Sequence, residues 1–367
     1  MLNPVFYKAP DANLFPINYA MARQQWLSQL EALKSANFHL TFPYSGGQGP
    51  DGDALFTDSV WLGPKNAAKV LVLLAGTHGV EGFAGSAVQL DLLQALIKGR
   101  AGIAPDIAIL LVHALTPWGY AWLRRCDAEG IDLNRNMIDF TAPLPINVGY
   151  EELLPVFATL DVKQREQAFM EWEKLNGRAS LESAISAGQY IDPTGPFYGG
   201  QTPAHGRLVC EDLIQHYTLA QKNLAVIDIH SGLGPYGYGE IICDHQPDSK
   251  GAAVAGLWFG DACTLPWLGT SFSVPKLGLL DYAWHNIMNQ SSCYVTLEFG
   301  TFRTDQLFEV LLHDHQLWAQ KGNLKARLEH SEHMRRHFCP DDPFWKELVL
   351  FRARQVISQA LAGLAAI

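Results

Sequence analysis

The sequence has few cysteines, few charged residues and no long basic run. Its 367 residues include six cysteines, and none of them form the Cys-x-x-Cys pairs typical of zinc and redox motifs. We therefore expect reduced thiols. Charged residues make up 17%, with 27 basic against 37 acidic, so the net charge is −10. This balance, with no Lys/Arg run longer than two, excludes a basic surface for nucleic acid or an anionic membrane.

Membrane and export signals are also missing. The longest apolar stretches, such as 70–75 and 107–112, are far too short to span a bilayer. Residues 1–15 lack the basic region and apolar core of a secretory signal, which predicts a cytoplasmic location. Apolar residues nevertheless make up 48% of the chain, enough for a packed core, so the composition excludes a disordered protein.

Buried strands alternate with amphipathic helices along the chain. Lys69–Gly76 is a continuous aliphatic run ending in Gly, typical of a strand buried on both faces, and Phe83–Lys98 has apolar residues at helical spacing. This alternation predicts an α/β fold with a mixed, mostly parallel twisted sheet flanked by helices. Further strands are predicted at 107–112, 224–229, 240–244 and 294–298.

We interpret residues 1–367 as a single domain with three less regular parts. Residues 1–68 form an N-terminal approach segment with a helix near 19–34. An insertion is predicted at about 140–207. It is helical at first and ends in a Gly/Pro/Tyr-rich surface loop over 188–207. Residues 302–367 form a helical tail, predicted as two helices.

The first chemical signal is GTHGVEGFAG, which places His78 and Glu81 three residues apart among glycines. The glycines indicate a loop at the carboxyl end of a buried strand, where α/β sheets bind ligands. His230 ends another buried strand, in AVIDIHSG. Two imidazoles and a carboxylate are a usual catalytic zinc set. Each motif alone also fits a polar loop or a satisfied core histidine.

Polar residues cluster in IDLNRNM, which contains Asp132, Asn134 and Arg135 and follows Arg124 and Arg125 closely. The planar guanidinium fork suits bidentate binding of a carboxylate.

Glu298 interrupts a strand built for burial, in YVTLEFGT. A buried carboxylate is costly unless it is paired or functional. An ion-paired structural role and a catalytic role therefore both remain open for this residue.

Taken in order, these four motifs resemble the zinc carboxypeptidases of the carboxypeptidase A type, whose wider group includes succinylglutamate desuccinylase and aspartoacylase. The segments GTHGVEGFAGSAVQ and DLNRN look closest to a little-characterised bacterial branch of metallopeptidases. The resemblance covers about residues 69–300. It implies that His78, Glu81 and His230 bind one Zn²⁺ per chain and leave a position open for water.

The resemblance also implies roles for the remaining residues. Glu298 matches the general base, and Arg125, with Arg124 as a second candidate, matches the arginine that stabilises the oxyanion. Asn134 and Arg135 match the pair that holds the terminal carboxylate of the substrate. Two further matches complete the set: Asp132 would orient His78, and Tyr282 in Asp-Tyr-Ala-Trp would stand in for the family's mobile tyrosine, although the aromatic residues of that segment are exchanged.

Together these features predict a zinc-dependent metallohydrolase, most simply a carboxypeptidase acting on a small peptide. An N-acyl-amino-acid amidohydrolase is the alternative within the same group, because both substrates end in a free carboxylate. A non-catalytic metal- or ligand-binding protein is the alternative outside it. The sequence does not determine the oligomeric state.

Overall fold

A computed structural model describes residues 9–33, 36–320 and 323–367, without the side chains of residues 36 and 37. Residues 1–8 of the stretch 1–15, for which the sequence predicts no secretory signal, lie outside the described residues. So does Lys34, the last residue of the predicted N-terminal helix.

Within the described residues, eight strands form one sheet. Their bounds are β1 Ala36–Pro43, β2 Phe56–Leu62, β3 Lys69–Ala75, β4 Ile107–His113, β5 Asn223–Ser231, β6 Gly239–Ile242, β7 Cys263–Thr264 and β8 Cys293–Phe299. From edge to edge the order is β1-β2-β4-β3-β5-β8-β6-β7. The central strands β4, β3, β5 and β8 are parallel, β1 pairs antiparallel with β2, and β2 with β4. At the other edge β6 pairs antiparallel with β8 and parallel with β7. The predicted mixed, mostly parallel sheet is confirmed.

Helices cover both faces of this sheet, as predicted. Alternate residues of β3 point in opposite directions, so that Leu71 and Leu73 join one core cluster while Val70, Val72 and Leu74 join another. No helix in the described ranges is both long and apolar enough to cross a membrane. The helix bounds are α1 Tyr19–Ala32, α2 Gly82–Ile97, α3 Pro117–Ala121, α4 Val148–Phe157, α5 Val162–Asn176, α6 Arg178–Ser186, α7 His205–His216, α8 Lys250–Phe259, α9 Asp281–His285, α10 Thr304–Ala319, α11 Leu324–Phe338 and α12 Pro343–Ala365.

Of two predictions for the ends of the chain, one is incomplete and the other is wrong. The N-terminal segment holds a helix but also contributes β1 and β2, which pair from Pro43↔Phe56 to Ala36↔Leu62 and extend the sheet at one edge. The paired residues are separated in the sequence by a Gly/Pro-rich loop, and no local pattern of residues indicates that they pair. The tail contains three helices rather than two, because the predicted stretch 302–336 is divided between α10 and α11.

The Gly/Pro/Tyr composition of residues 188–207 predicts a surface loop, and this prediction is wrong. Tyr190, Phe197 and Tyr198 are 3%, 5% and 7% exposed, and the Tyr190 hydroxyl donates to the Arg135 carbonyl at 2.7 Å. The aromatic side chains bury the segment against the site-bearing loop that contains Arg135. The aromatic residues of a segment with a composition typical of turns therefore pack in the interior.

Helix α2 is fixed to the central strands by one buried amide. Gln89 Nε2 donates to the carbonyls of Leu73 on β3 and Val112 on β4, at 3.0 and 2.9 Å. Its Oε1 accepts a hydrogen bond from the indole of Trp26 on α1 at 2.9 Å. Because α2 begins one residue after Glu81, this contact also fixes the start of the candidate site relative to the sheet.

We expect Gln89→Leu to lower the free energy of unfolding by about 1–3 kcal/mol, because it leaves the buried Trp26 N–H without an acceptor. Gln94→Leu, on the half-buried side of the same helix, should change it by less than about 0.5 kcal/mol. Urea unfolding followed by fluorescence measures both. Equal effects of the two substitutions would contradict the assigned role of Gln89.

Candidate metal centre and active site

The loop after β3 presents His78 and Glu81 at the carboxyl edge of the sheet. Backbone hydrogen bonds tie it to the neighbouring chain, from Gly79 N to Arg125 O at 3.0 Å and from Val80 N to Arg124 O at 2.8 Å. A Cβ on Gly79 would lie 2.1 Å from the Gly119 carbonyl carbon. Only glycine therefore allows the two backbones to approach this closely.

His230 comes from the end of β5, the strand next to β3. Asp228 lies two residues earlier and therefore on the same face of the strand. Its carboxylate contacts His230 Nε2 at 2.7 Å and accepts hydrogen bonds from Thr77 and Tyr294, each at 2.8 Å. The His230 ring is thereby held with its Nδ1 directed away from Asp228.

His78, Glu81 and His230 converge, with their ligand atoms within 4.8 Å of one another. The two Nδ1 atoms are 3.1 Å apart, and the Glu81 carboxylate contacts them at 2.8 and 2.9 Å. All three side chains are buried. Two imidazole nitrogens and a carboxylate form a donor set that fits a transition-metal ion. Across residues 9–33, 36–320 and 323–367, no other three His, Cys, Asp or Glu side chains meet this criterion.

Asp132 and Arg125 surround this group with charge. Asp132 contacts His78 Nε2 at 3.1 Å, and it accepts from Arg125 Nε at 2.9 Å. Arg125 Nη1 also donates to Glu81 at 3.1 Å. Burial alone would raise the pKa of the Asp132 carboxyl, but Arg125 and His78 hold it well below its ordinary value. Asp132 is therefore an anion that fixes the orientation of His78.

Glu298 lies on β8, in register with His230 on β5, and lines the same pocket as the three converging side chains. One carboxylate oxygen accepts from the Leu233 backbone N–H at 3.0 Å. Burial and the nearby charge of Glu81 raise the pKa of Glu298 to about 8. Among the described residues it forms no salt bridge within 4.0 Å, which argues against the ion-paired structural role.

Asn134 and Arg135 line the same pocket. Arg135 is 1% exposed and donates to the Ser186 carbonyl from Nε and Nη2 at 3.0 and 2.7 Å, and to the Asn134 carbonyl. Burial lowers its pKa. No carboxylate of the described chain lies within 4.0 Å of its guanidinium, so Arg135 is a buried cation without an anionic partner.

Two predicted site residues are not brought to this pocket. Tyr282 is absent from its lining, and the Tyr282 hydroxyl donates to the Lys276 backbone carbonyl at 2.8 Å. Arg124, the second candidate for the oxyanion role, points to the other side of its loop. There it forms a buried ion pair with Asp314 at 2.7 Å and lies over the Trp318 ring.

Sequence reasoning missed three residues of the site. Asp228 had a local signal, because Asp-x-His on a strand places both side chains on one face. Phe197 and Lys276 also line the pocket, and neither has a local signal. Phe197 comes from the segment predicted as a surface loop, and its ring lies 5.2 and 5.5 Å from the guanidinium carbons of Arg125 and Arg135.

The sheet order and helical layers define an α/β protein with the carboxypeptidase fold. The chain is similar to carboxypeptidase A from Helicoverpa armigera, with a TM-score of 0.55 and 13% identity over 95% of this chain and 73% of that one. Weaker likenesses link it to an aspartoacylase family protein from Mesorhizobium loti (TM-score 0.39, 14% identity, 78% and 68% covered). A further weak likeness is to succinylglutamate desuccinylase from Chromobacterium violaceum, with a TM-score of 0.32 and 14% identity over 86% of this chain and 74% of that one. The fold assignment rests on the first of these alone.

Within that fold, the chain belongs to the family described as "Protein of unknown function (DUF2817)", whose model matches residues 15–352. No curated protein sequence matches the chain significantly. The predicted resemblance to the carboxypeptidase group is confirmed at the level of the fold.

We expect Asp228→Asn to weaken divalent-metal binding about 10- to 100-fold, because the amide no longer holds and polarises the His230 ring. Asp212→Asn, on the exposed face of α7, should leave the affinity unchanged. Competition against a chromogenic chelator measures both dissociation constants, and thermal unfolding of the metal-free proteins checks their folding. A loss of stability without a loss of affinity would restrict Asp228 to a structural role.

Metal binding should also release protons. Burial alone would lower the pKa of His230, but Asp228 and Glu81 raise it well above its ordinary value. In the metal-free protein the ring is therefore protonated at neutral pH, and a metal must displace that proton. We expect release of at least about one proton and an affinity that increases from pH 6 to 8. Calorimetry in buffers of different ionisation enthalpy measures this release, and binding without it would contradict the expectation.

Proposed function

We propose that this protein is a zinc-dependent hydrolase of the carboxypeptidase type, which cleaves an amide next to a free carboxylate. The observation that carries the proposal is the position of Glu298, an unpaired carboxylate lining the pocket that contains the His78, Glu81 and His230 side chains. A protein that only stores or senses a metal has no need of a base at that position. The predicted cytoplasmic location belongs to the same proposal.

His78, Glu81 and His230 would hold the zinc ion. When bound, zinc supplies a positive charge that polarises the scissile carbonyl and makes a water molecule more acidic. Asp132 and Asp228 keep the two imidazoles oriented from behind, through contacts of 3.1 and 2.7 Å.

Glu298 accepts a proton from the attacking water while the oxygen of that water bonds to the carbonyl carbon of the substrate amide. It then gives that proton to the amide nitrogen as the C–N bond breaks, so that a carboxylic acid and an amine leave. A carboxyl with a pKa raised to about 8 in the metal-free protein suits a group that both accepts and donates near neutral pH. Arg125, 3.1 Å from Glu81, is the nearest guanidinium for the negative charge that develops on the carbonyl oxygen.

Arg135 would bind the free carboxylate of the substrate, with Asn134 beside it. A buried guanidinium without an anionic partner is costly, and a substrate carboxylate removes that cost while fixing the position of the scissile amide.

A deacylase acting on N-acyl amino acids would use the same residues, because its substrates also end in a carboxylate. Turnover of short peptides compared with that of acylated amino acids separates the two activities. We expect activity in this panel only with zinc-loaded protein, and equal activity after removal of the metal would overturn the proposal.

The decisive variant is Glu298→Gln, which keeps the size of the side chain but removes the base. We expect kcat to fall about 10²- to 10⁴-fold, with little change in KM and with zinc content preserved. Zinc analysis and steady-state kinetics on the best substrate of the panel measure these quantities.

Glu211→Gln removes the same charge from the exposed face of α7 and should leave kcat unchanged. If Glu298→Gln keeps its zinc and its kcat within about threefold of the parent, Glu298 is not the base and the proposed mechanism fails.

A further inference from the structure

Lys276 lies in a segment that is tied to the pocket from two sides. Its backbone carbonyl accepts from the Tyr282 hydroxyl at 2.8 Å. The next residue, Leu277, donates its backbone N–H to the Ala187 carbonyl at 3.1 Å. Lys276 therefore has a fixed backbone, and its side chain lines the pocket.

The C-terminal end of α6, which binds the Lys276 segment through Ala187, also holds Arg135. The Ser186 carbonyl accepts two of the three Arg135 side-chain hydrogen bonds, at 3.0 and 2.7 Å. The carbonyl of the following residue, Ala187, accepts from the Leu277 backbone N–H. Consecutive carbonyls at the end of α6 therefore position both Arg135 and the segment that contains Lys276.

The Lys276 ammonium is only partly engaged. It donates to the Val274 carbonyl at 2.8 Å and to the Ser273 hydroxyl, which uses two of its three donors. No carboxylate within the described ranges lies within 4.0 Å of its Nζ. Arg135 shares this property, so the pocket contains two cations that lack a direct anionic partner.

Lys276 is charged at neutral pH and lies among charged groups of both signs. Burial and the charge of Arg135 lower the pKa of Lys276 to about 8, with Arg125 acting in the same direction and Asp244 and Glu298 opposing it. The ammonium is therefore mostly protonated at pH 7. Burial raises the pKa of Asp244 only to about 6, so at neutral pH this carboxylate is ionised and opposes the charges of Arg125, Arg135 and Lys276.

We propose that Lys276 is a second carboxylate-binding residue of this pocket, acting beside Arg135 on the acidic part of the substrate. The inference rests on the proposed function and deepens it, since it assigns the substrate class: the portion released as an amine carries a carboxylate that contacts an ammonium as well as a guanidinium. That carboxylate is either the terminal one, shared with Arg135, or an acidic side chain.

Calorimetric titration of the zinc-loaded protein tests this without relying on turnover. Four ligands of equal size separate the two carboxylates: glutamate has both, glutamine only the terminal one, isoglutamine only the side-chain one, and glutamine amide neither. We expect Lys276→Gln to weaken glutamate binding about 10- to 100-fold. Lys276→Arg should restore part of the loss, and Lys98→Gln, at the exposed end of α2, should have no effect.

The pattern across ligands identifies the carboxylate involved. If glutamine shows the same loss as glutamate and isoglutamine shows none, Lys276 binds the terminal carboxylate. The reverse pattern assigns it to an acidic side chain. An equal loss for all four ligands, including glutamine amide, would make Lys276 structural and overturn the proposal.

Two further results would also overturn it: unchanged glutamate affinity in Lys276→Gln, and no glutamate binding by the parent protein. Neither depends on the hydrolase activity. An active enzyme with an unaffected Lys276→Gln variant would remove only the role of Lys276, whereas glutamate binding without hydrolysis of any panel substrate would remove only the proposed function.

Discussion

The arrangement of this site depends on buried charges that compensate one another at the carboxyl edge of three parallel strands. Glu81 contacts both imidazoles, and each imidazole contacts a further carboxylate through its other ring nitrogen. Removal of one member of such a network leaves an uncompensated charge in a low-dielectric interior, which costs several kcal/mol. The sheet therefore does more than carry these residues, because the register of β3 and β5 brings His230 and Asp228 to the level of the loop that holds His78 and Glu81.

Cationic residues complete this balance in two different ways. Arg125 donates to Glu81 from Nη1 and to Asp132 from Nε, so it belongs to the internal network. Arg135 and Lys276 contact only carbonyl and hydroxyl oxygens. The first arrangement stabilises the metal-binding group, whereas the second leaves charge available for a ligand. The same pocket thus contains one cation with direct anionic partners and two cations without them.

The segment between β4 and β5 connects the two parts of the site. The C-terminal end of α6 fixes Arg135 through Ser186 and the Lys276 segment through Ala187. Phe197 lies against the guanidinium groups of Arg125 and Arg135, where its ring face is attractive to cations. Substitutions in this segment should therefore alter ligand preference without touching the metal-binding side chains.

The sequence by itself determined the strands β3, β4, β5 and β8 and the grouping of His78, Glu81 and His230. Continuous aliphatic runs identify buried parallel strands, and residues that follow such strands meet at one edge of the sheet. Asp228 was within reach of the same reasoning, because the two-residue period of a strand places it beside His230.

Only the tertiary structure decided the remainder. The antiparallel pairing of β1 with β2, the burial of Tyr190 and Phe197, and the position of Tyr282 outside the pocket all depend on contacts between distant segments. The same is true of Lys276, whose neighbour Arg135 is 141 residues away in the sequence. Local periodicity reports which face of an element is buried, but it carries no information about which other segment covers that face. A side chain such as Arg135 or Lys276 acquires its lack of an anionic partner from the whole arrangement of its surroundings, and for that reason the sequence pattern alone could not reveal it.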